Sequence, residues 1–254
     1  MCQLLALHFN EPVRPSLSFR GFRTRGAVNP DGWGIARWEG PACQLFKEPC
    51  DGSESALARF LSDYPRFEST TFIGHVRRAT SGTRSLANTH PFVRVFLGRA
   101  MAFAHNGTVE LPAEPSMFES VGETDSERLF CTLLTRLSEE GIGLGDHARM
   151  EAVLSELNKH GTMNVVFSNG ERLWVYHDRE GYGGLFATRR LAPFQQVRLQ
   201  DEEWTVDLAE DKRPTQRGYV IATVPLTKGE TWSPLEPGRL YVYERGEQVY
   251  PAGD

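Results

Sequence analysis

The chain has 254 residues, 40% of them hydrophobic, enough length and apolar content for one large domain spanning residues 1–254 with a sizeable core. Its net charge is −5 and its 28 Lys and Arg residues are scattered, which excludes the clustered basic footprint of a nucleic-acid binder. No apolar run approaches the roughly 18 residues of a membrane span, and the opening lacks the basic, apolar pattern of a secretory leader, so the expected compartment is the cytoplasm.

In chain order, Cys2 to His8 reads as a strand ended by Asn10-Glu-Pro12. Strands follow at Gly34 to Trp38 and Cys43 to Lys47, after a turn-forming Asp31-Gly-Trp-Gly34 that is expected to pack near residue 2. A helix is expected over Ser53 to Asp63, then strands at Thr71 to Val76 and Met101 to His105. The next helix, Asp125 to Glu139, opens with the capping box Thr124-Asp-Ser-Glu127 and carries Leu129, Phe130, Leu133, Leu134 and Leu137 on one face. Glu123 and Glu127 read as capping and surface charge. A third helix spans about Asp146 to His160.

Met163 to Ser168 and Arg172 to His177 form a hairpin around Asn169-Gly170, which favours a type I′ turn. Leu185 to Thr188, Tyr219 to Val224 and Leu240 to Glu244 are further strands, and the charged stretch Gln200 to Arg217 reads as a long surface loop. Many strands with few amphipathic helices specify an α+β layered domain in which helices cover sheets whose other faces pack together.

Cysteines stand at 2, 43, 50 and 131, with no CxxC pair and no zinc spacing, so neither a disulfide framework nor a metal site is expected. Cys43, Cys50 and Cys131 read as ordinary small residues. Cys2 differs because removal of Met1 places a free α-amine on the same residue as the thiol. With a reference pKa of about 7.7–8.0, that amine can accept the thiol proton near neutral pH.

Other residues fit around such a nucleophile. Asn106-Gly107 follows a strand, where an amide donor and a close backbone approach can hold an oxyanion, although an Asn-Gly turn has the same composition. Arg77 closes a strand with His75 on its face and can fork onto a carboxylate, as a solvated surface arginine also could. Asp125 lies in the first turn of a helix, a position a carboxylate favours with or without a ligand. His90 precedes Pro91 and reads as a loop pin or a pocket residue; Thr80 sits in a loop rich in hydroxyls.

The runs Gly74-His-Val-Arg-Arg-Ala-Thr-Ser-Gly82, Asn88-Thr-His-Pro-Phe92, Ala104-His-Asn-Gly107 and Gly122-Glu-Thr-Asp-Ser-Glu127, in that order, resemble the motif set of class II glutamine amidotransferases. With Met1-Cys2, Asn29-Pro-Asp-Gly-Trp-Gly34 and the segment Ala222 to Trp232, the resemblance is to the short, stand-alone YafJ-like branch. It implies an Ntn-hydrolase four-layer αββα sandwich of two mainly antiparallel sheets.

For the site, it implies Cys2 as nucleophile, the Asn106 side-chain amide and Gly107 N–H as oxyanion donors, Arg77 on the substrate carboxylate, Asp125 on its ammonium group, and Thr80 and His90 lining the pocket. No cofactor or metal is implied. The substrate would be glutamine, with a possible ammonia-accepting partner protein, since the chain has no room for a synthase domain. Members that serve amino-sugar synthesis resemble His-Thr-Arg-Trp-Ala-Thr-His-Gly at the arginine motif, where this chain has Arg78 for the Trp and Ser81 for the second His. Two other expectations stay open: cleavage of another γ-glutamyl amide, as in relatives of the ergothioneine pathway, and a catalytically silent binding or regulatory subunit of the same fold.

Overall fold

A computed structural model describes residues 2–79, 82–201 and 203–252. The strand Gln3–Val13 is buried along most of its length instead of alternating, because it lies at the centre of a sheet covered on both faces. That sheet has seven strands in the order Ser233–Pro234, Phe186–Arg190, Gly218–Ala222, Gln3–Val13, Ser69–Arg77, Gly32–Glu39 and Ala42–Glu48. A six-stranded sheet runs Glu247–Tyr250, Leu240–Glu244, Arg172–Tyr176, Gly161–Ser168, Arg99–Val109 and Phe92–Phe96. All the pairings within them are antiparallel.

Three apolar cores separate four layers. Between the sheets, Leu4, Ala6 and Ile73 share a core with Ala102, Ala104, Val166 and Val175, filled out by Trp38, Tyr241 and Tyr243. Outside the seven-stranded sheet, helices Ser16–Thr24 and Ala56–Asp63 pack Phe19, Phe22, Ala58 and Leu61 onto it. Outside the other sheet, helices Asp125–Glu139 and His147–Leu157 bury Leu129, Phe130, Leu133, Met150 and Leu154. Phe130 stacks on Phe103 with ring centroids 4.8 Å apart, and truncating such a buried Phe to Ala costs about 3–5 kcal/mol. The expected αββα layering is what the chain forms.

The helix Asp125–Glu139 begins where its capping box placed it: Thr124 Oγ1 accepts from Glu127 N at 3.2 Å. Glu127, however, is not a surface charge. It is buried, accepts from Gly122 N at 2.7 Å and pairs with Arg94 at 2.5 Å.

Two other expectations need correction. The stretch from Gln200 to Arg217 is not one long loop: Thr205–Asp207 joins Gln196–Leu199 and Thr227–Lys228 in a three-stranded sheet, and Leu208–Asp211 forms a helical turn. Trp204, Val206 and Leu208 alternate toward Leu17, Val197 and Leu199, a short apolar pattern hidden among charged neighbours. In the Asp31–Gly34 element, Gly32 already belongs to a strand, so the turn ends at Asp31. Among the described residues no helix is long and apolar enough to cross a membrane.

Candidate active site

Antiparallel register brings the ends of two strands together. Gln3 lies opposite Val76, so Cys2 falls beside the residues that follow Val76. Its Sγ accepts from Arg78 N at 3.1 Å and lies 3.1 Å from Arg78 O. The same segment is held from the other side by Asp31, whose Oδ2 accepts from Ala79 N at 2.8 Å and whose N donates to Arg77 O at 3.0 Å. Asp31 thus packs against the backbone that cradles Cys2, as its turn-forming sequence suggested. Burial is the main influence on the Cys2 thiol and pushes its pKa up, against the pull of the Arg78 N–H and the Arg77 charge.

The opposing wall comes from the other sheet. Arg99–Val109 delivers His105, Asn106 and Gly107 in sequence. A Cβ at Gly107 would lie 2.0 Å from Thr162 O, so only glycine permits this backbone approach. Asn106 is buried, and its Nδ2 has no hydrogen-bond partner among the described residues.

A third element closes the site. Asp125, in the first turn of its helix, accepts at Oδ2 from Val109 N at 2.9 Å, which ties the helix to the strand just past Gly107. The next residue, Ser126, reaches His105 Nδ1 at 2.9 Å while His105 Nε2 meets Thr162 O at 3.1 Å. A carbonyl only accepts, so Nε2 carries the proton and Nδ1 accepts from Ser126. His90, joined to Pro91 by a cis peptide, stacks on His75 with ring centroids 4.1 Å apart. Neither His90 ring nitrogen has a partner among the described residues, and burial drives its pKa well below the usual imidazole range.

Cys2, Arg77, His90, Gly107 and Asp125 line one cleft, with Arg78, His105, Thr124 and Ser126 completing it. Arg77 directs its guanidinium toward the carbonyls of Gly82 and Thr83 at 3.4 and 3.5 Å. Asn106 lies between two lining residues, and Thr80 falls outside the described residues. The cleft volume is about 20 Å³, room for a water molecule.

A larger cavity of about 770 Å³ sits along Ala187–Gln195, but its Arg190 and Glu230 are spent on each other at 2.7 Å. Arg190 pairs with Gly218, which is opposite Phe9, so this cavity reaches the end of the sheet far from Cys2. Chemistry, not size, singles out the smaller cleft.

His75, His105 and Ser126 were not singled out in the sequence. The available signal was strand alternation, which puts His75 on the face of Arg77, and adjacency of the other two to Asn106 and Asp125.

Residues 1–252 match the profile of the glutamine amidotransferases class-II. The protein of Escherichia coli named "Putative glutamine amidotransferase YafJ" is 36% identical over 259 residues that cover 98% of this chain and 100% of YafJ. The crystal structure of a predicted glutamine amidotransferase from Pseudomonas aeruginosa superposes with a TM-score of 0.73 at 33% identity, covering 98% of this chain and 99% of that one. Glutamine phosphoribosylpyrophosphate amidotransferase from B. subtilis shares the fold, with a TM-score of 0.63 at 18% identity over 96% of this chain and 47% of that one. The layered architecture is accordingly the Ntn-hydrolase sandwich.

Proposed function

The chain belongs to the class II glutamine amidotransferases, and from that premise we propose that it hydrolyses the side-chain amide of glutamine with Cys2 as nucleophile. The observation that carries the reading is the meeting of Cys2, Arg77 and Asp125 at one cleft from three separate elements. A cation and a carboxylate flanking a thiol suit an amino acid zwitterion, whose carboxylate Arg77 can hold bidentately and whose ammonium group Asp125 can accept.

In this mechanism, removal of Met1 frees the α-amine of Cys2. Because burial raises the thiol pKa, the thiolate needs a base beside it, and the amine takes the proton directly or through water. Sγ attacks the amide carbon and the carbonyl electrons move onto oxygen, which Asn106 Nδ2 and the Gly107 N–H stabilise. The buried Asn106 Nδ2, without a partner among the described residues, supports that role: such a donor costs about 1–3 kcal/mol in the resting protein and is preorganised for charge that appears only during reaction. Collapse of the adduct expels ammonia with the proton returned by the amine. Water then hydrolyses the γ-glutamyl thioester to glutamate and restores the thiol. Ammonia passes to a partner or leaves free.

Membership of the class II glutamine amidotransferases places glutamine ahead of N-substituted γ-glutamyl amides as the substrate to test first. The test is glutamate release from glutamine and from a panel of such amides, using wild type, Cys2→Ala and Cys2→Ser, alongside intact-mass analysis of the active protein. Glutamine should be the best substrate, Cys2→Ala inactive, and Met1 absent from active material. Activity that survives Cys2→Ala, or active protein that retains Met1, rejects this nucleophile; a preference for a substituted amide rejects the substrate.

A further inference from the structure

The groups assigned to the reaction stand on different sheets. Cys2 and Arg77 belong to the seven-stranded sheet, whereas Asn106 and Gly107 belong to the six-stranded one. The sheets meet through an apolar core, and apolar contact is non-directional whereas a hydrogen bond is directional. A hydrogen bond across the sandwich can therefore set the distance from thiol to oxyanion donors in a way that this core alone does not.

At the level of the site, His75 Nε2 crosses the sandwich to His105 O at 3.1 Å. His75 lies opposite Leu4 on one side and Gly34 on the other, and it stands two residues before Arg77. His105 immediately precedes Asn106. Both rings are buried. Because the acceptor is a carbonyl, His75 Nε2 carries the proton, and burial drives the ring pKa down to about 3, so it stays a neutral donor across the physiological range. Trp38 Nε1 to Ala100 O at 2.9 Å and Thr71 Oγ1 to Gly170 O at 3.0 Å also join the sheets, toward the opposite end, while Lys47, opposite Gly34, donates to Thr89 O at 2.7 Å in the segment before Phe92–Phe96 and not to the Asn106 strand.

We propose that His75 is a positioning residue: its Nε2–H bond to the His105 carbonyl is a cross-sandwich strut that sets the Asn106–Gly107 pair against Cys2. This rests on the glutaminase reading above and adds to it a residue that touches no substrate. Displaced donors stabilise the transition state less while the zwitterion contacts at Arg77 and Asp125 persist, so the strut acts on kcat and not on KM.

The experiment compares His75→Phe, which keeps a flat ring of similar size without a donor, with His75→Gln, whose amide nitrogen can stand where Nε2 does. Three readouts are taken: kcat and KM for glutamine, the rate of Cys2 alkylation by iodoacetamide, which needs no oxyanion donors, and hydrogen exchange at the Asn106 and Gly107 amides.

For His75→Phe we expect kcat lower by about 10- to 100-fold, less than the roughly 10²- to 10³-fold cost of losing an oxyanion donor outright because the donors are displaced and not removed, with KM and alkylation near wild type and exchange at the two amides faster. His75→Gln should restore most of the rate and the protection. Wild-type kcat and exchange in His75→Phe overturns the strut. Loss of alkylation in both variants overturns it too, by making His75 a general support of the fold. If wild type hydrolyses no γ-glutamyl amide, the glutaminase reading fails by itself, and exchange at Asn106 and Gly107 still decides whether His75 holds them.

Discussion

Arg94 and Glu127 join strand to helix at 2.5 Å, with the Glu127 side chain only 2% exposed and Arg94 18%. The pair ties the edge strand Phe92–Phe96 to the first turn of the helix that presents Asp125, and Glu127 also accepts from Gly122 N. Removing one partner of a buried pair strands the other charge. Arg94→Ala should therefore lower unfolding free energy by on the order of 3 kcal/mol, read from urea denaturation. The double variant Arg94→Ala with Glu127→Gln should recover part of that loss; a double variant as unstable as the sum of both singles would show that the pair carries no coupling.

At the candidate site, Asp125 and Arg77 should govern substrate affinity. Asp125→Asn keeps an oxygen for Val109 N but loses the charge, and Arg77→Lys keeps charge but loses the two-pronged geometry. Each should raise KM for glutamine by about 10-fold or more, the scale of a lost charged hydrogen bond, with kcat changed less. Steady-state kinetics checks this, and an unaltered KM removes the residue from the pocket.

Asn106→Ala should show the opposite split. In the proposed mechanism its amide acts in the transition state, so kcat should fall by about 10²- to 10³-fold with KM little changed. Gly107→Ala should fail more broadly, since its Cβ would meet Thr162 O at 2.0 Å. Far-ultraviolet circular dichroism with kinetics separates the two outcomes.

Stability should fall on mild acidification. Unfolded imidazole takes its proton near pH 6.5, whereas burial holds His8 neutral down to about 4 and His75 to about 3. His90 and His105 shift the same way. Protons thus favour the unfolded chain in this window: the contribution is complete above pH 6.5 and is lost as pH drops toward the folded values, by up to about 1.4 kcal/mol per pH unit for each ring. Urea midpoints at pH 7, 6 and 5 should decline progressively; a flat series between 7 and 5 would contradict it.

Much of the fold was readable because several elements declare themselves locally. Thr124-Asp-Ser-Glu127 announced a helix start, and Asn169-Gly170 a hairpin. Elements whose pattern is interrupted or shared with loops were not readable: Ser16–Thr24 has no capping side chain at Pro15, and Phe92–Phe96 has Arg94 in the middle of its apolar run. The same holds for the site. Motif residues such as Cys2, Arg77 and Asp125 could be named from sequence, whereas His75 and Ser126 matter through partners 30 and 21 residues away. Such contacts exist only after two sheets and a helix have met, and Glu127 looked like any helix-surface glutamate until Arg94 was placed beside it.

A cleft with space for one water molecule cannot receive an amino acid without rearranging first. Apparent affinity is then the intrinsic affinity scaled by the fraction of molecules already open. If glutamine is the substrate, that opening costs affinity, and a substitution that holds the cleft open would lower KM while leaving the reacting groups in place.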